Sequence, residues 1–177
     1  IVLLVAAMVI VAAIFLVSTG LKNKVSAVKL LKKSMPTFLV ALTTASSAAS
    51  FSSNVTTCEK SFGIDESLVS FGIPLGMVVH KPMGAIYDQL ILFFFAAKYG
   101  VSCSVGWLVI AVIISTVIAI ATPPIPGGGA VGYTVLFAQM GIPMEALAIA
   151  LTIDIITDFI ITAFEMLALP LSLVNIS

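Results

Sequence analysis

From Ile1 to Val17 the chain contains no charged, amide or hydroxyl side chain. A membrane-spanning helix needs about 20 apolar residues, with a range of about 17–25. Such a run is buried either in lipid or in a protein core, and the rest of the chain decides between them. Of 177 residues, 60% are hydrophobic and 9% are charged, and the mean hydropathy is +1.24. Soluble domains carry roughly 25% charged residues. A soluble core made from a chain this short could not hide so much apolar surface. An all-α membrane protein is therefore expected, rather than a very apolar soluble helical domain.

The charges that remain are unevenly placed. Lys22, Lys24, Lys29, Lys32 and Lys33 crowd the stretch after the first apolar run. Lysine resists translocation, so this loop is expected on the cytoplasmic side of the cell membrane. Formal net charge is zero, and no nucleic-acid partner is expected. Cys58 and Cys103 match no metal or redox spacing. His80 is the only histidine, which excludes a multi-histidine metal site. The chain opens on Ile1 without the charged start of a signal peptide and is expected to be a piece of a longer protein.

Five segments are read along the chain. Residues 1–20 form a transmembrane helix ended by Ser18, Thr19 and Gly20. Residues 25–62 form a helical hairpin whose tip is the hydroxyl-rich run from Leu42 to Asn54, including Ser46 and Ser47. A flexible Ser-rich linker is the bland alternative, but linkers are seldom flanked by apolar helices. A re-entrant tip fits better, because small residues let half-helices meet and hydroxyls satisfy irregular backbone. Residues 65–100 form a helix that opens at Asp65 and is broken at His80-Lys81-Pro82-Met83-Gly84. A Pro-kinked helix with a snorkelling lysine is the alternative, though Lys81 lies far from either end of the span. Residues 105–141 form a second hairpin, with its tip at Thr122 to Ala130, where proline and glycine forbid regular helix. Paired interrupted elements point to the binding site of a transporter.

Residues 144–172 form the final helix. Asp154, Asp158, Thr162 and Glu165 stand at offsets of 0, 4, 8 and 11, on one face. Each ionisable group in a membrane helix costs roughly 2.5–3.5 kcal/mol on insertion scales, and such groups usually face a polar site. A structural network buried between helices is the alternative to a functional face.

This order of elements resembles the transport domain of the dicarboxylate/amino-acid:cation symporter (glutamate-transporter) family. The local likenesses are Ser70-Phe71-Gly72-Ile73-Pro74-Leu75-Gly76, the tip Pro126-Gly127-x-Gly129-Ala130, and Ile153-Asp154-x-x-x-Asp158. The resemblance implies a secondary symporter of amino acids or dicarboxylates, not an enzyme, embedded in the lipid bilayer. It further implies hairpin tips that meet near the midplane around a small-molecule substrate. Ser46, Ser47, Pro126, Gly127, Gly129, Asp158 and Thr162 would bind that substrate. His80, Lys81, Asp154 and Glu165 would form the coupling region. The family's N-terminal scaffold, which forms a homotrimer, is expected to be absent from this chain.

The sequence also departs from the family. Where members carry Asn-Met-Asp-Gly-Thr in the broken helix, this chain has His80-Lys81-Pro82-Met83-Gly84. The arginine that grips a substrate's second carboxylate is replaced by Ile161, and the following polar positions by Glu165 and Leu169. The expected substrate is therefore a neutral amino acid. Sodium coupling is expected to be weakened or lost, with Lys81 pairing with Asp154 or Glu165, or with His80 exchanging protons. Na+ or H+ is the expected coupling ion, and no other cofactor is expected. A membrane interaction protein that keeps the fold without transporting is the other reading.

Overall fold

The computed structural model describes residues 2–177, and every regular element among them is helical. Helix α1 (Val2–Asn23) is apolar on all sides, and only Leu4, Met8, Ala12, Thr19 and Gly20 are buried. Val9, Ile10, Ile14 and Val17 stand at least half exposed. The helix continues three residues beyond its expected end at Gly20. The reason is tertiary: Asn175 Nδ2 donates to Thr19 Oγ1 at 2.8 Å, Asn23 Nδ2 donates to Asn175 Oδ1, and Lys22 reaches the Asn175 carbonyl. These contacts hold the last turn of α1 against the end of the chain.

The return from α1 is tight. Val25 N–H donates to the Gly20 carbonyl at 2.9 Å, and a Cβ on Gly20 would lie 2.7 Å from the Val25 oxygen. Helix α2 (Ala27–Thr44) runs up to Ala45, whose left-handed φ of 47° closes it. A 3-10 turn (Ala48–Ser50), α3 (Phe51–Thr56) and a π-helical turn (Thr57–Phe62) then lead back. The irregular tip is thus much shorter than the hydroxyl-rich run suggests. Its hydroxyls let the helix resume early: Ser46 Oγ accepts from Ala49 N–H at 3.1 Å, and Ser50 Oγ donates to the Ser46 carbonyl at 3.1 Å.

Asp65 caps α4 (Glu66–Val79) by accepting from Ser67 N–H at 2.9 Å. Hydrogen bonds from the Ser67 hydroxyl and amide hold its carboxyl below the usual carboxylate range. The break before α5 (Pro82–Tyr99) is confined to His80 and Lys81. Pro82 was expected to lie within the break but is the first helical residue, a position where its fixed φ suits the helix and its missing N–H leaves nothing unpaired. Helices α6 (Val105–Ala121) and α7 (Ala130–Met140) form the second hairpin, braced by Trp107 Nε1 donating to the Met140 carbonyl at 3.0 Å.

Helix α8 (Ala146–Ile176) is the central strut and packs on α1, α2, α4, α5 and α7. It runs through Pro170 and past its expected end, and at 31 residues it is about 46 Å long. Besides a small cluster of Ala12, Leu30, Leu167 and Leu171 that joins it to α1 and α2, two larger cores meet on it. One joins α8 to α1, α5, α6 and α7 through residues such as Met83, Phe95, Phe137 and Ala150. The other joins it to α2 and α4 through Ala41, Ile73, Met166 and Leu173. Helices α1 and α8 are long and apolar enough to cross a membrane.

Replacing Gly20 with alanine should lower stability by about 1–3 kcal/mol, since backbone must move to admit the methyl group. Gly106→Ala is the control, because its nearest neighbour would be Ser104 Oγ at 3.9 Å. Thermal melts of the two variants check this, with only Gly20→Ala expected to show the loss.

Candidate functional site

The two tips meet. Ala48 N–H donates to the Pro124 carbonyl at 3.1 Å, and Ser46 Oγ donates to the same oxygen at 3.3 Å. Beneath them lies a partly open pocket of about 70 Å³, lined from both tips, the α4–α5 break, α5, α6 and α8. That volume exceeds the 10–15 Å³ or so that one water needs. Lys81, Asp88, Asp154, Asp158 and Glu165 all line it, so four carboxylates face one ammonium.

Each acid on α8 is held by donors from an interrupted or neighbouring element. Asp154, 7% exposed, accepts from Tyr133 Oη at 2.8 Å. Asp158 accepts from Gly127 N–H at 3.2 Å and from Thr162 Oγ1 at 3.1 Å. Glu165, 2% exposed, accepts from Lys81 Nζ at 2.9 Å through Oε2 and from Gly84 N–H at 3.0 Å through Oε1. Gly84 is in the first turn of α5, where free N–H groups and the helix dipole favour a negative charge. Of the two acids expected as partners for Lys81, the fold selects Glu165.

Local backbone explains these positions. Gly127 adopts φ 71°, which aims the tip back toward α8. A Cβ on Gly128 would lie 2.5 Å from the Pro123 carbonyl, so the tip closes only around glycine.

The residues singled out from sequence divide into groups. Ser47, Gly129, Lys81, Asp154, Asp158, Thr162 and Glu165 line the pocket. Ser46 sits beside it and is used in tip-to-tip bonding, while Gly127 contributes its N–H to Asp158. Pro126 is outside the pocket lining. His80 faces a different groove of about 400 Å³, with Phe15, Val79, Lys81, Pro82, Ala85, Thr116 and Ile120. Its Nε2 lies 2.9 Å from Ser172 Oγ, and its ring packs edge-on to Phe15.

Three polar lining residues were missed in the sequence: Tyr87, Asp88 and Tyr133. Asp88, 6% exposed, is an ionisable residue inside an apolar span, and the criterion applied to α8 would have found it. Among the described residues the buried Tyr87 hydroxyl has no hydrogen-bond partner, and its ring meets Tyr133 edge-on at 6.3 Å. Nothing in sequence marks Tyr133, which reaches Asp154 only because the second hairpin folds back.

The acidic pocket lies beneath two helix-interrupting tips, and residues 1–168 match the sodium:dicarboxylate symporter family. The chain belongs to that family. It is 26% identical over 130 residues to an excitatory amino acid transporter of Caenorhabditis elegans, covering 73% of this chain and 26% of the relative. It is 26% identical over 121 residues to excitatory amino acid transporter 2 of Homo sapiens, covering 68% of this chain and 21% of that protein. Neutral amino acid transporter A of Homo sapiens is likewise 26% identical over 121 residues, covering 68% and 23%. The chain therefore spans about a quarter of the length of these relatives.

Removing one partner of a buried ion pair costs roughly 3–5 kcal/mol. Glu165→Gln should be the more damaging single change, because it strands Lys81 beside the positive end of α5. Lys81→Met leaves Glu165 with the Gly84 N–H and should be milder. The double variant Lys81→Met/Glu165→Leu should recover most of the loss. A double-mutant cycle of melting midpoints measures all three.

Proposed function

We propose that the pocket between the tips is the substrate site of a secondary active symporter for amino acids. The observation that supports this most directly is the hydrogen bond from Gly127 N–H, at the tip of one hairpin, to Asp158 on the central helix. It makes the tip a door whose latch is a carboxylate inside the pocket. A substrate ammonium group can take over that carboxylate, and the freed tip amide can then meet the substrate carboxylate. Thr162 and Ser47 supply further hydroxyls.

The substrate is a neutral amino acid. A second carboxylate would meet Ile161 where the family resemblance places an arginine, and the chain has no arginine to replace it. Both hairpins are re-entrant in a multi-pass cell-membrane protein, with the lysines after α1 on the cytoplasmic side. Exposed Ile, Val, Leu and Phe side chains around the exterior support lipid contact. A homotrimer formed through the family's scaffold half is the expected assembly.

Sodium, the ion in the family's description, is poorly matched at Glu165. Both oxygens of Glu165 are already engaged, one of them by an ammonium. The proposed coupling is therefore altered, with an internal ion pair or a proton in place of a sodium ion.

The test is uptake of labelled neutral and acidic amino acids by the full-length protein in liposomes, with sodium and proton gradients imposed separately. Accumulation of neutral substrates, reduced at least roughly tenfold in kcat/KM terms by Asp158→Asn, is the expected result. Preference for aspartate or succinate would overturn the substrate assignment. Absence of uptake by folded, inserted protein would favour a non-transporting interaction protein.

A further inference from the structure

We infer that Lys81 is a built-in cation: its ammonium fills the one place beside Glu165 where a monovalent coupling ion would have to sit. The coupling consequence rests on the transport reading above, but the assignment of the position rests on geometry.

Lys81 lies at the α4–α5 break, the only interruption in that span. Unwound backbone of this kind normally offers carbonyl oxygens to an ion. Here three of the carbonyls around the break are in use. Gly76 accepts from His80 N–H at 2.8 Å, Val79 from Lys81 N–H at 3.1 Å, and Lys81 from Ala85 N–H at 3.1 Å. The carboxylate oxygens of Glu165 are in use as well, and the pair is buried, with side chains 9% and 3% exposed. Among the described residues, no three carboxylate, histidine or thiol side chains form a metal-holding group.

The arrangement also explains why a lysine is tolerated there. A cation beside the N-terminus of α5 opposes the helix dipole. Glu165 offsets both, since it receives the Lys81 ammonium and the α5 amide together. Removing the ammonium by Lys81→Met leaves a buried carboxylate, one helix amide and a gap of cation size. A free monovalent cation becomes the group that restores balance.

The full-length protein, solubilised without substrate, is melted in sodium chloride and in choline chloride at equal ionic strength. Wild-type midpoints should coincide. The Lys81→Met midpoint should fall in choline and be raised saturably by sodium, a shift the wild type lacks. The double variant Lys81→Met/Glu165→Leu should again ignore sodium. A saturable sodium response in the wild type, or a folded Lys81→Met that responds equally to both salts, overturns the inference. If Lys81→Met folds in neither salt, the wild-type titration decides: a sodium response refutes the assignment, and its absence supports it. Failure of uptake with these melts as expected would remove the transport reading and leave Lys81 as the resident cation.

Discussion

A carboxylate buried among aliphatic side chains is costly unless the chain delivers donors to it. Glu165 and Asp154 set that requirement at two heights along α8, with the half-buried Asp158 between them, and the irregular parts of the fold answer it. The α4–α5 break brings Lys81 and the Gly84 amide to Glu165. The second tip brings the Gly127 amide to Asp158, and the arm behind it brings Tyr133 to Asp154. The first tip then closes on the second through Pro124. Helix ends, which elsewhere would carry unpaired polar groups to the surface, are spent on one pocket. Replacing such a pair with apolar residues is often neutral or stabilising, so a buried ion pair is weak evidence for stability alone.

Close approach of helices makes this pocket possible. Gly72 and Gly76 lie on the face of α4 toward α8, and a Cβ on either would meet Leu173 or Leu169 at 2.5 or 2.3 Å. Small residues of this kind are how helices pack where surrounding lipid is as apolar as their own side chains. The outward faces of α1 and α6 carry Val, Ile and Leu, which fits the same setting. Within it, the α8 strut can be held from several sides while its acidic face stays turned to the pocket.

The acidic face of α8, the broken span and the Pro/Gly tip were legible because each violates a strong local expectation. A charge on an apolar helix, or proline and glycine inside a span, is visible in one dimension. The length of the first tip was less legible. Its run from Leu42 to Asn54 looks uniform in sequence, yet Phe51 onward is helical because Ser46 and Ser50 satisfy the turn locally. The continuation of α1 to Asn23 depends on Asn175, more than 150 residues away. The choice of Glu165 over Asp154 for Lys81 has the same origin. Both acids share a helix face, and only the placement of the break along α8 separates them.

A tethered cation differs in kind from a bound one. A free ion leaves the site at a rate and concentration set by the surroundings, and this lets its gradient do work. An ammonium on a four-carbon stem has a fixed, high effective concentration beside Glu165 and never leaves the protein. It can balance buried charge through every conformation of the pocket, but it cannot couple the pocket to a gradient. Any accumulation must then draw on another exchangeable charge. His80 is set apart, in its own groove against Ser172 and Phe15. Asp88 instead shares the pocket, buried beside the unpartnered Tyr87 hydroxyl. Substrate exchange without net ion movement needs no such group. On the transport reading proposed above, the fixed charge at Lys81 narrows the choice to exchange, or to coupling through a different residue of the same pocket.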